Sequence, residues 1–136
     1  MTDPVNAYFK QFYPPKDVLD TTEWEYGSVG RVLRIPGYSN IFPAMVMADG
    51  LALSVQGHHG AYSWPRDDFA DEYTMVEIMG PRKADELLAP FERDHNSVGD
   101  QMIYPAVPVS VIAAIIEKHG GLVAPLPRHP ERNDNA

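Results

Sequence analysis

"AMVMADGLALSVQ", Ala44 to Gln56, is the segment on which the fold reading turns. Asp49-Gly50 stands between two apolar runs, a strong signal for a two-residue hairpin turn. Pairing outward from Ala48 and Leu51 places Ala44, Val46, Leu51, Leu53 and Val55 on one face. Met45, Met47, Ala52, Ser54 and Gln56 then fall on the other. The first face reads as core, with Leu53 and Val55 buried. The second is mixed and either faces a pocket or lies under a loop.

Outward from the hairpin, "YTMVEIM" (73–79) alternates Thr74, Val76 and Ile78 with Tyr73, Met75, Glu77 and Met79, which predicts a third strand. "SVGRVLRI" (28–35) reads as a strand weakened by Gly30, and "PGYSN" as a turn. "DPVNAYFKQF" suits a short opening helix with Asp3 as cap and Pro4 in the first turn. "PRKADELLAPF" (81–91) predicts a helix carrying Ala84, Leu87, Leu88 and Phe91 on one side. "ERDHNSVGD" reads as a polar loop. "PVSVIAAIIEKHGG" is the strongest helix: Pro108 opens it and Gly120 stops it. Ile112, Ile115 and Ile116 form its stripe, and Lys118 and His119 complement its C-terminal dipole. The expectation is an α+β fold with a small antiparallel sheet, hairpin 44–56 plus strand 73–79, packed with two or three helices. Residues 1–124 form a single domain, and the proline-rich, polar 125–136 a flexible tail.

The chain has 136 residues, a formal net charge of −8 and no cysteine. Disulfides, thiolate metal sites and cysteine nucleophiles are therefore excluded. No apolar run approaches the roughly 20 residues of a membrane span. "MTDPVNAYFK" lacks the basic start and apolar segment of a secretory signal, so a cytoplasmic location is expected. An acidic surface repels phosphate backbones, so direct nucleic-acid binding is disfavoured. The charge serves solubility or meets a basic partner.

Chemistry-bearing residues concentrate in "LSVQGHHGAYSWPRDDF" (53–69). His58 and His59 are adjacent, and Tyr62 and Trp64 offer stacking surfaces. Arg66 is a fork for an anion. With Gln56 and Glu77, which both point to the face away from the predicted core, these residues are the candidate binding site. The competing reading is a packed loop in which Arg66 braces Glu77 or an aspartate. The run Asp67, Asp68, Asp71, Glu72 beside the histidines offers oxygen and imidazole ligands for a divalent cation. It matches no H-E-x-x-H or EF-hand spacing, and adjacent strand residues point to opposite faces, so a solvated loop is preferred and no metal or cofactor is assigned. Ser54 and Ser63 lie near the histidines, but there is no G-x-S-x-G elbow, Walker pattern or G-x-G-x-x-G, so no catalytic residue is assigned. His95, His119 and His129 are scattered.

The segments "LSVQGHHGAYSWPR", "YTMVEIMG" and "YPAVPVSVIAAIIEKHGG" together resemble a family of small uncharacterised bacteriophage proteins. That family carries a strand ending S-V-Q and a histidine-tyrosine-cysteine-serine-proline-arginine type stretch. A strand with a glutamate and a C-terminal V-P-V helix ending K-H-G-G follow. The resemblance spans about residues 44 to 122. Ser63 and Trp64 stand where the family has its cysteine-serine pair. The resemblance implies a phage or prophage origin, with no activity attached.

The expected function is a small acidic binding protein without enzymatic activity, acting on a host protein or a small anionic ligand. The alternatives are an enzyme on a phosphate or nucleotide substrate, with His58 or His59 as acid/base and Arg66 as clamp, and a minor virion component. Met45, Met47, Met75 and Met79, placed together opposite the core face, are either an adaptable surface for a homodimer or partner, or half of a sheet buried on both sides.

Overall fold

The computed structural model describes residues 3–93 and 97–123. Helix α1 (Pro4–Lys10) is capped by Asp3, whose carboxylate accepts the Val5 and Asn6 N–H groups. After α2 (Lys16–Thr21), a small hairpin pairs β1 (Glu25–Tyr26) with β2 (Arg31–Val32). The main sheet is five-stranded and antiparallel. Its order is β3 (Met45–Val46), β4 (Ala52–Gln56), β5 (Met75–Pro81), β7 (Gln101–Pro108) and β6 (Ser97–Val98). A 3-10 helix (Glu86–Phe91) follows β5, and α3 (Val109–Lys118) follows β7 without a linker.

The α+β class therefore holds, with a larger sheet than the sequence suggested. One face of it packs against α1 and α3. Val5, Tyr8 and Phe9 of α1 and Ile112, Ile115 and Ile116 of α3 join Leu53, Val55, Val76, Ile78, Tyr104 and Val107 in the core. Asn6 ties α1 to the start of β5 by exchanging two hydrogen bonds with the Tyr73 backbone, at 2.9 and 2.8 Å.

The hairpin is present, but its register differs by one residue from the expected one. Met47 N–H donates to Leu51 O at 2.8 Å and Gly50 N–H to Met47 O at 2.9 Å. The loop is thus Ala48-Asp49-Gly50, with Gly50 at φ +99°. A three-residue loop ending in a left-handed glycine pairs Met45 with Leu53 rather than Ala44 with Val55. A slip of one residue exchanges the faces of β3. Met45 and Met47 are therefore core residues, and Ala44 and Val46 are exposed. Met75 and Met79 stay on the outer face at 39% and 38% exposure, so the expected four-methionine surface is not assembled.

Two further expectations are corrected. The strand expected over 28–35 is only Arg31–Val32. The helix expected over 81–91 begins five residues later, because β5 runs on to Pro81 and Asp85 caps the 3-10 turn through Leu87 N–H. Strand β7 was not anticipated at all. The tail over 125–136, His95 and His129 lie outside the described residues.

His119 does more than end α3. Its two ring N–H groups donate to Asp49 of the hairpin loop at 2.6 Å and to buried Asp85 at 2.7 Å. Lys118 adds a contact to Asp85 at 3.2 Å and one to Glu86 at 3.7 Å. Hydrogen bonds to Asp85, then Asp49, hold the His119 pKa above its ordinary 6.5. A raised folded pKa stabilises fully below about pH 6.5 and loses that contribution as pH rises through the folded value. The lowered carboxyls of Asp49 and Asp85 contribute above their ordinary 3.8 and are lost in acid. The wild-type melting temperature should fall as pH rises above about 6.5, and His119→Gln should flatten that fall. An identical slope in both proteins, measured by thermal denaturation, would remove the brace from the account.

Candidate functional site

Strand β4 ends at Gln56, and the chain then turns over the outer face of the sheet. The turn 58–61 is closed by Ala61 N–H donating to His58 O at 3.1 Å. Beyond it the chain rejoins β5: Trp64 N–H donates to Met75 O and Thr74 N–H to Trp64 O, both at 2.9 Å. The loop is fixed at its middle by an irregularity in β7. Between Val76 and Ile78 the register slips, so Pro105 and Ala106 together oppose Glu77. Ala106 sits at φ +52°, and its freed N–H donates to Tyr62 O at 3.0 Å. Glu77 accepts the Tyr62 N–H at 2.8 Å. Glu77 thus holds the loop's backbone in place.

Gln56 is buried and turned to another segment. Its amide exchanges two hydrogen bonds of 2.9 Å with the Phe42 backbone, completing the ladder where β3 has not yet begun. The expected pocket of Gln56, Tyr62, Arg66 and Glu77 therefore does not form. Arg66 makes no ion pair with Glu77 or an aspartate among the described residues. Its guanidinium lies 4.5 Å from the Tyr62 ring centroid. Tyr62 is 56% exposed and Trp64 65%. The backbone of Arg66 is pressed against the β1–β2 hairpin, since a Cβ on Gly30 would lie 1.4 Å from the Arg66 carbonyl oxygen. That hairpin carries a second stacked pair, Arg31 over Trp24 at 5.2 Å.

A polar centre lies on Asp68, a residue the sequence offered in the acidic run beside the histidines, read there as a solvated loop. Asp67 and Asp68 run beside β2. Asp67 accepts Arg31 N–H at 2.7 Å, and Asp68 accepts Leu33 N–H at 2.9 Å. The second Asp68 oxygen accepts from Asn40 Nδ2 at 2.9 Å, from His59 N–H at 3.0 Å and from His59 Nδ1 at 2.9 Å. Burial pushes the Asp68 carboxyl up, but the donors from Asn40, His59 and Leu33 outweigh it and hold the pKa below the usual range. Asp71 and Glu72 are exposed. His58 Nδ1 accepts Gly60 N–H at 3.0 Å, and burial lowers its pKa, so the ring is neutral near pH 7. A groove of about 400 Å³ opens beside the centre, lined in part by Arg34, Tyr38, Ser39, Asn40, His59 and Asp68.

Of the seven candidate residues, the structure brings Arg66 over exposed Tyr62 and leaves Trp64, two positions along, exposed as well. His58 and His59 stand at the Asp68 centre, and Gln56 and Glu77 hold backbone. Asn40 was missed because nothing local marks a residue that acts 28 positions away. No helix among the described residues is long and apolar enough to cross a membrane. No family model, curated protein or solved structure matches the chain.

Proposed function

We propose that this is a small binding protein without enzymatic activity, which docks another protein through Tyr62, Trp64 and Arg66. If the chain is phage-encoded, as the sequence resemblance implies, the partner is a host protein met in the cytoplasm. One observation carries the reading: a guanidinium with no carboxylate partner among the described residues lies over an exposed tyrosine, two positions along the chain from a more exposed tryptophan. Tyrosine, tryptophan and arginine dominate the energetics of protein interfaces, and a pre-stacked arginine loses little freedom on docking. The backbone under them is anchored to Glu77 and Ala106, so the three side chains stand on a fixed support.

An enzymatic reading has one observation in its favour, the orientation of His59 by a buried carboxylate. It is the weaker reading because Arg66, its proposed anion clamp, is engaged with Tyr62 instead.

Trp64→Ala and Arg66→Ala should each leave the melting temperature nearly unchanged. Each should weaken capture of a host protein by about thirtyfold or more, the size of an interface hot spot. A large stability loss in Arg66→Ala would make the residue a brace, and capture equal to wild type in both variants would sink the reading.

A further inference from the structure

The geometry points to a divalent transition-metal site formed by His58, His59 and Asp68. It is independent of the docking face. One ligand atom from each of the three residues lies within 4.8 Å of the others. Adjacent residues alternate faces only in extended chain, whereas His58 and His59 open the turn 58–61. Their ring centroids are 6.0 Å apart, with planes at 68°.

The distances suit a cation. Metal–nitrogen and metal–oxygen bonds near 2.1 Å place neighbouring ligands about 3.0–3.4 Å apart. Asp68 Oδ1 and His59 Nδ1 are already 2.9 Å apart and share a hydrogen that a cation would replace. His58, half-buried on its turn, closes the set by a ring movement on the order of 1 Å. Asn40 Nδ2 is 2.9 Å from Asp68 Oδ1 and 3.4 Å from His59 Nδ1. Turned over, the same amide presents its oxygen as a fourth ligand. Two imidazoles with a carboxylate favour zinc, cobalt or nickel over calcium or magnesium. Leu33 N–H holds Asp68 Oδ2 in place, and Oδ1, which faces Asn40 and the His59 ring, is the oxygen that would meet the cation in exchange for their hydrogens. The groove at Arg34 and Ser39 leaves a side open for water on the metal.

Titrating the full chain with Co²⁺, read by its visible ligand-field bands, tests the site. A saturable 1:1 complex and a raised melting temperature are expected, both lost or weakened at least tenfold in His58→Gln. His58→Gln without metal should melt near wild type, and His59→Gln, if folded, should also lose the bands. His119→Gln, His129→Gln and Trp64→Ala should bind Co²⁺ normally, and the last separates this test from that of the docking face. Absent bands, unchanged binding in His58→Gln, or loss confined to His129→Gln would overturn the site.

Discussion

Asp68→Ala is expected to lower the unfolding free energy by roughly 3–5 kcal/mol. The carboxylate satisfies Leu33 N–H, His59 N–H, the Asn40 amide and the His59 ring. Alanine leaves all of these without an acceptor in a place where Asp68 itself is almost fully buried. Each orphaned buried donor costs about 1–3 kcal/mol, less where water reaches it. Asp68→Asn keeps one oxygen and should lose only about 1–3 kcal/mol. Urea denaturation followed by tryptophan fluorescence measures both. The spectrum should also report local change, because Trp24 stacks on Arg31, whose backbone N–H and guanidinium meet Asp67. An alanine variant as stable as wild type would mean that the centre is solvated and holds nothing together.

Leu53→Ala is expected to cost about 2–5 kcal/mol, and its effect should be coupled to Gly80. Leu53 is fully buried in β4, opposite Met45. A Cβ built on Gly80 would lie 2.5 Å from Leu53 Cδ2. Gly80→Ala alone should therefore overpack the site, at about 1–3 kcal/mol. With Leu53 already truncated, the added methyl enters the vacated space. The double variant should be more stable than the sum of the single losses predicts, by about 0.5–3 kcal/mol. Strict additivity in the urea midpoints would show that the two positions do not touch.

What could be read from the sequence follows from where side-chain pattern and backbone agree. Helix α3 was legible because Pro108, the three isoleucines and Gly120 all report the same element. β5 was legible because Val76 and Ile78 alternate with polar and exposed neighbours. The register of β3 was not, because Ala44, Met45, Val46 and Met47 are all apolar and neither face is marked. There the loop geometry decides, and Asp49-Gly50 is compatible with loops of two or three residues. β7 was hidden by Pro105 and by the left-handed Ala106, which interrupt the alternation of Met102, Tyr104 and Val107. The density of chemistry in residues 57–66 was visible in composition. Its division into an outward aromatic face and a buried Asp68 centre depends on contacts with β2, Asn40 and β7, which no local pattern encodes.

The five-stranded sheet also has consequences at its margins. β6 is only two residues long, and β3 is covered by the chain after α3: Ala48 N–H donates to Gly121 O and Val123 N–H to Val46 O, both at 2.8 Å. At the other margin β6 pairs only with Gln101 and Met102, and beyond them the outer edge of β7 meets the 58–66 loop where Ala106 N–H donates to Tyr62 O. Growth by strand addition, the route to fibrils and exchanged strands, is thereby obstructed at the β3 margin. Association on that side is left to side-chain surfaces, whose specificity can be changed one residue at a time without disturbing the ladder beneath.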